Sequence, residues 1–182
     1  WFAQPKLLEM INIGTLVSDT PQALVGLATL GHQFGYNNIL SMYAAVLLML
    51  PVFLMLGNIN LVLMVTVSGL LWFAAGYWHI APPNYPTEGY WFLNPLSWQF
   101  LFVIGIAATL HVKRGSQICF SAPLACSALI YVVLSLVWVR TPLWGLEKTV
   151  DLPVVLAGFD KTFLSLPRLL HVLALAYLIV SI

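Results

Sequence analysis

Arg168 and His171 stand three positions apart in the otherwise apolar run from Thr162 to Ile182. Positions i and i+3 share one face of a helix, so a guanidinium and an imidazole would lie side by side there. At 1.5 Å rise per residue His171 would sit about 4.5 Å further along the axis. Lys161 precedes the run, and a continuous helix would put it on the same face two turns back. An ionisable group inside a membrane helix costs roughly 2.5 kcal/mol or more, so it either marks a function or escapes to the headgroups. Two uses of the pair are open. Arg168 snorkels to the interface while His171 makes one structural hydrogen bond, or both line a polar pocket that opens outward. In such a pocket Arg168 would bind an anionic group, and His171 would orient a donor or move a proton.

A second set of polar residues enters two other apolar runs. Asn37, Asn38 and Tyr43 open one of them; Asn94, Trp98 and Gln99 open the other. Amides hydrogen-bond across helices in membranes, which makes them structural glue. They would equally suit a site for sugar hydroxyls, with amides as donors and acceptors and aromatic rings for stacking. His32, His79 and His111 fall at the ends of apolar runs, where a half-wet imidazole needs no special role. The histidines lack metal-ligand spacing, and no metal is expected. Cys119 and Cys126, seven apart in an apolar stretch, suit core packing and neither a disulfide nor zinc. The chain has no G-x-S-x-G, no phosphate loop and no H-E-x-x-H. These residues alone carry no signature of catalysis.

The elements that must position them follow from composition. Hydrophobic residues make up 61% of the chain and charged residues 7%, with a mean hydropathy of +0.95. A soluble domain carries about 25% charged residues. No Asp, Glu, Lys or Arg occurs between Asp19 and Glu88. This is the composition of an integral membrane protein, and lipid then demands helices whose backbones satisfy themselves. A net charge of +1 argues against nucleic acid as a partner.

The expected architecture is all-α: a polytopic bundle of about five spans plus a short interfacial helix. The spans fall near 38–56, 61–80, 97–112, 117–139 and 162–182. Residues 1 to 17 suit an interfacial or loop segment. Ser18-Asp19-Thr20-Pro21 starts the short helix over Gln22 to Leu30, and Gly31 stops it. Pro51 lies inside the first span, and Gly57 to Asn60 reads as a tight turn after it. Ala81 to Pro95 is a proline-rich aromatic loop, while Lys113 to Ser116 is short and basic. Arg140 to Lys161 is a polar connection. The whole is one partial membrane domain, 1–182, expected to be an internal piece of a longer polypeptide. Charge counting leaves its orientation open, because Lys113 and Arg114 face Lys6, Arg140, Lys148 and Lys161 on the opposite side.

Three blocks carry a resemblance: Gly35-Tyr36-Asn37-Asn38-Ile39-Leu40-Ser41-Met42-Tyr43, then Trp91 to Phe102 (WFLNPLSWQFLF), then Arg168 to Leu178 (RLLHVLALAYL). In this order they resemble blocks of the OpgC family, over about Thr20 to Leu178. That family comprises inner-membrane enzymes that decorate periplasmic glucans with succinyl groups, within the multi-span membrane acyltransferases. The resemblance implies that Lys113 and Arg114 lie in the cytoplasm, with the aromatic loop and Arg168 on the outer side. It also implies that the catalytic base is a histidine in a first span outside this chain. Phe163 departs from the pattern, standing where an acidic residue is expected, as does Ser41 near a family proline.

The resulting expectation is an O-acyltransferase of the bacterial inner membrane. It would take an acyl group, succinyl by resemblance, from acyl-CoA (succinyl-CoA) to a periplasmic glucan, with no bound cofactor and with membrane lipid as surroundings. Arg168 and His171 would support catalysis. Asn94, Trp98, Gln99, Asn38, Tyr43 and Lys161 would bind substrate. Two other classes compete: a transporter or channel with a polar path near Arg168 and His171, and a membrane scaffold without chemistry. Inverted repeats with paired broken helices would favour transport, and only one proline-interrupted span is present.

Overall fold

The structure, a computed structural model, describes residues 13–32, 34–35, 38–141, 152–153 and 155–181. Expectations for residues 1–12, Tyr36, Asn37 and 142–151, including Lys6 and Lys148, lie outside the described residues. Among the described residues the regular structure is helical, and the one β-type pairing is an isolated bridge between Pro83 and Tyr90. The helices are α1 (Ile13–Ser18), α2 (Thr20–Ala28), α3 (Asn38–Ile59), α4 (Leu61–Tyr77), α5 (Pro95–Lys113), α6 (Ala122–Arg140) and α7 (Leu166–Val180).

Three of these, α3, α5 and α6, are long and apolar enough to cross a membrane. The expected second and fifth spans are shorter than anticipated: α4 has 17 residues and α7 has 15, against the roughly 20 of a perpendicular crossing. Proline explains the late start of α7. Pro167 occupies its first turn, where a missing N–H costs nothing, and the residues before it form a turn. Lys161 therefore lies in that turn and not on the helical face of Arg168 and His171. Pro123 does the same for α6, so Gln117 to Ser121 stay outside the helix.

The tight turn expected at Gly57 to Asn60 is a single residue. α3 runs on to Ile59, and the Asn60 side chain accepts from Val62 N at 2.7 Å and Leu63 N at 3.4 Å, capping α4. Gly57 stays helical because α4 packs on it; a Cβ there would lie 2.8 Å from Met64 Sδ. The short helix expected at 22–30 is present as α2, preceded by α1 in the end of the stretch read as an interfacial or loop segment. Its stop is set at Leu30, whose φ of 62° leaves the helical region one residue before Gly31.

α4 packs most closely on α5, and α3 lies against both; α6 and α7 form a second pair. Phe53, Met64 and Val103 fill the middle of the trio, while Met42, Val46 and Leu93 fill its loop end beneath Trp98. A third core of Trp72, Val155, Leu164 and Leu169 joins the trio to α7. Residues facing away, such as Leu48 and Leu134, are exposed and aliphatic, as a lipid-facing surface requires.

Candidate functional site

The site is built on the turn from Val155 to Ser165. Val155 and Leu164 are fully buried, although the connection around them is polar. Leu164 holds a φ of 47°, a costly conformation for a branched side chain. Its surroundings fix it. Trp72 Nε1 donates to Leu164 O at 2.9 Å, Leu166 N donates to Val155 O at 2.8 Å, and Phe163 N donates to Asp160 Oδ1 at 2.8 Å. Ser165 is buried and donates its hydroxyl to Gly158 O at 3.0 Å. This turn occupies the same end of the bundle as the aromatic loop, because Asn94 N donates to Thr162 O at 3.1 Å.

Arg168 and His171 emerge from this frame on one face of α7. Both line a cleft of about 420 Å3 with Phe159 and the α6 residues Val132, Ser135, Leu136 and Val139. Arg168 Nη2 donates to Phe159 O at 2.9 Å, which aims the guanidinium; its Nε is buried without a partner. No carboxylate pairs with Arg168 among the described residues. The α6 wall is held by Tyr131, whose hydroxyl donates to Pro167 O at 2.9 Å. A guanidinium with an unpartnered donor in a mostly apolar cleft has the chemistry to bind an anion, most strongly one with two oxygens.

The remaining residues expected at the site are placed as follows. Asn94 is fully buried. It accepts from Leu96 N at 3.0 Å, capping α5, and donates to Ile80 O at 2.7 Å. Gln99 is likewise fully buried and closes a ring with Ser68: Ser68 Oγ donates to Gln99 Oε1 at 2.6 Å, and Gln99 Nε2 donates to Ser68 O at 3.0 Å. Both amides are thus occupied within the protein, welding α4, α5 and the loop. Trp98 Nε1 donates to Lys161 O at 2.9 Å, so Lys161 meets Trp98 through its backbone while remaining exposed itself. Tyr43 is half-exposed and packs edge-on to Phe102 with ring centroids 5.5 Å apart. Asn38 is the first residue of α3. The structure brings Arg168 and His171 into one cleft, with Lys161, Trp98 and Asn94 joined through the turn behind them. Asn38 and Tyr43 stand apart, on α3.

Trp72, Ser68 and Tyr131 support the site and carried no sequence signal beyond being aromatic or small in an apolar run. No group of three or more His, Cys, Asp or Glu that could hold a metal ion occurs among the described residues.

The family model described as OpgC protein matches residues 1–182. The chain belongs to the OpgC family. No curated protein and no solved structure gives a significant match. Membership of the OpgC family, together with three apolar helices of spanning length, makes this a membrane protein with an acyltransferase-type role in glucan modification.

Proposed function

We propose that this OpgC chain forms part of a multi-pass inner-membrane O-acyltransferase that moves a succinyl group from its coenzyme A thioester to a hydroxyl of periplasmic glucan. The observation that carries this is the Arg168 guanidinium, anchored on Phe159 O, unpaired with any described carboxylate, and facing a cleft shared with His171. Succinyl differs from the commoner acyl groups by its terminal carboxylate, and a guanidinium recognises that group by paired, charge-assisted hydrogen bonds. In the transfer, the glucan oxygen bonds to the thioester carbonyl carbon and the carbon–sulfur bond breaks. The hydroxyl proton passes through a general base to the departing thiolate. That base is not assigned among the described residues. Arg168 and His171 hold and orient the acyl group; Asn94, Gln99 and Trp98 keep the cleft's frame rigid. Tyr43 and Asn38 are acceptor-side contacts in this scheme, and Lys161 is a cation beside the turn. The end with the aromatic loop and Arg168 faces the periplasm, Lys113 and Arg114 face the cytoplasm, and α4 and α7 complete five passes with their flanking residues.

Arg168→Gln and Arg168→Lys in the membrane-embedded enzyme test this. Succinyl incorporation, read as added negative charge on the glucan, is expected to fall at least tenfold in Arg168→Gln. Arg168→Lys should recover part of it, because the charge is kept while the planar fork is lost. Wild-type incorporation by a stably folded Arg168→Gln enzyme removes Arg168 from the reaction.

A further inference from the structure

Two grooves run along α5 near its Lys113 end, one on each side of a ridge made by Ile104 and Ala108. On one side the facing wall is α4, with Val62, Val65 and Thr66. On the other it is α7, with Val172, Ala176 and Val180. Ile118, just beyond the end of α5, lines both. The grooves measure about 490 and 640 Å3. At the turn end Trp98, Phe100 and Leu101 of α5 pack on the core of Leu164 and Leu169, so the gap between α5 and α7 opens towards Lys113.

Each groove has one basic side chain at its rim, and its walls are otherwise hydrocarbon apart from a single threonine. His111 lines the α4 side and Lys113 the α7 side. Arg114, the third basic residue here, is already engaged: its Nη2 donates to Gly57 O at 2.7 Å and ties the end of α5 to α3. Lys113 and His111 are exposed, and no described carboxylate meets them. Asp19, Glu88 and Asp160 lie before α2, in the aromatic loop and in the turn. Basic residues suit the C-terminal end of any helix, but the helix dipole does not account for an apolar groove beside each.

Depth decides what fits. At about 1.5 Å of rise per residue, the α7-side groove runs about 16 Å along α5, from Leu101 to Val112. That is close to half of the roughly 30 Å hydrocarbon core. A spanning helix would need a face twice as long, and an acidic side chain level with Lys113. A diacyl phospholipid has the required parts by construction: two chains of one leaflet's depth, joined where a phosphate meets the edge of the hydrocarbon. Basic pockets between membrane helices take anionic headgroups in this way.

We infer that the Lys113 end of α5 seats one anionic diacyl phospholipid. One chain lies in each groove, astride Ile104 and Ala108, with the headgroup phosphate on Lys113 and a hydrogen bond from His111. Arg168 lies at the opposite end of α7 from Val180, so this seat and the acyl-binding reading of Arg168 stand or fall separately.

The membrane-extracted protein, in neutral detergent at pH 7, is titrated with dioleoyl phosphatidylglycerol and, separately, with dioleoyl phosphatidylethanolamine. Bound lipid is counted by native mass spectrometry. The first lipid is expected to bind about fivefold tighter as phosphatidylglycerol, the worth of one lysine at a membrane surface. Lys113→Gln should erase that preference, and Lys113→Arg should keep it. Ala108→Leu, which raises the ridge between the chains, should weaken both lipids. Lysophosphatidylglycerol, with one chain, should bind at least about tenfold more weakly than the diacyl form. Equal affinity for the two headgroups, or a preference that survives in Lys113→Gln, overturns the inference. So does a lysolipid held as tightly as the diacyl form. A dimer mass without retained lipid also overturns it, because the grooves would then be the seat of a second copy.

Discussion

Trp98 reaches from α5 to donate its indole N–H to the carbonyl oxygen of Lys161 at 2.9 Å. One helix away, Trp72 of α4 makes the same bond to Leu164. Two indoles on neighbouring helices thus grip one turn, and that turn launches the helix carrying Arg168 and His171. These two bonds, with Asn94 N on Thr162 O, tie the turn before the cleft to the trio.

Replacing Trp72 or Trp98 by phenylalanine keeps an aromatic ring and removes the donor. Trp72→Phe leaves a buried carbonyl unmet and is expected to cost about 1–3 kcal/mol; Trp98→Phe, at a wetter site, about 1 kcal/mol. Because both bonds hold one turn, the double variant should depart from additivity by about 0.5 kcal/mol or more in thermal or denaturant unfolding. Additive losses would show that the two indoles act independently.

Ser68 and Gln99 form a closed pair in which each partner satisfies the other. Gln99→Leu or Ser68→Ala alone strands a buried polar group and should destabilise the protein. Hydrogen bonds between membrane helices average about 0.6 kcal/mol and reach about 1.7. Combining the two changes removes both polar side chains and should cost less than the sum. Unfolding of the four proteins in one detergent gives the comparison, and a full sum would mean that the pair is not coupled.

Gly76 is where α4 meets the turn most closely, since a Cβ there would lie 2.6 Å from Val155 Cγ2 and 2.7 Å from Val155 Cβ. Gly76→Ala overpacks that contact and is expected to cost about 1–3 kcal/mol, with loss of acyl transfer as the turn shifts. Val155→Ala in the same protein opens the space and should restore part of both. If the second change worsens stability and activity instead, the contact is not what makes alanine costly.

The helices were legible because each apolar run is bounded by proline, asparagine or a charge. Asn94-Pro95 marks the start of α5 two residues ahead of the expected 97, and Lys113 closes it. Sequence and structure part where one residue has two meanings. Gly57 reads as a turn residue but serves as a flat spot for Met64, so α3 continues through it. The stretch from Arg140 to Lys161 reads as a solvated connection, yet Val155 inside it is a core residue. Arg168 and His171 were visible in the sequence because a charge in an apolar run is costly anywhere in the run. The tasks of Asn94 and Gln99 were not, because an amide gives no hint of whether its partner is a helix or a ligand. His32 reads as a half-wet imidazole at the end of an apolar run, yet it is buried, and Tyr85 of the aromatic loop bonds the neighbouring Gly31 from more than fifty positions away.

The single non-helical residue between α3 and α4 limits how the two helices can move. Asn60 caps the second helix directly after the first one ends, so no slack chain lies between them. The two helices therefore cannot drift apart at this end by more than one residue's reach, and the close seat of Met64 against Gly57 is held by chain connectivity as well as by packing.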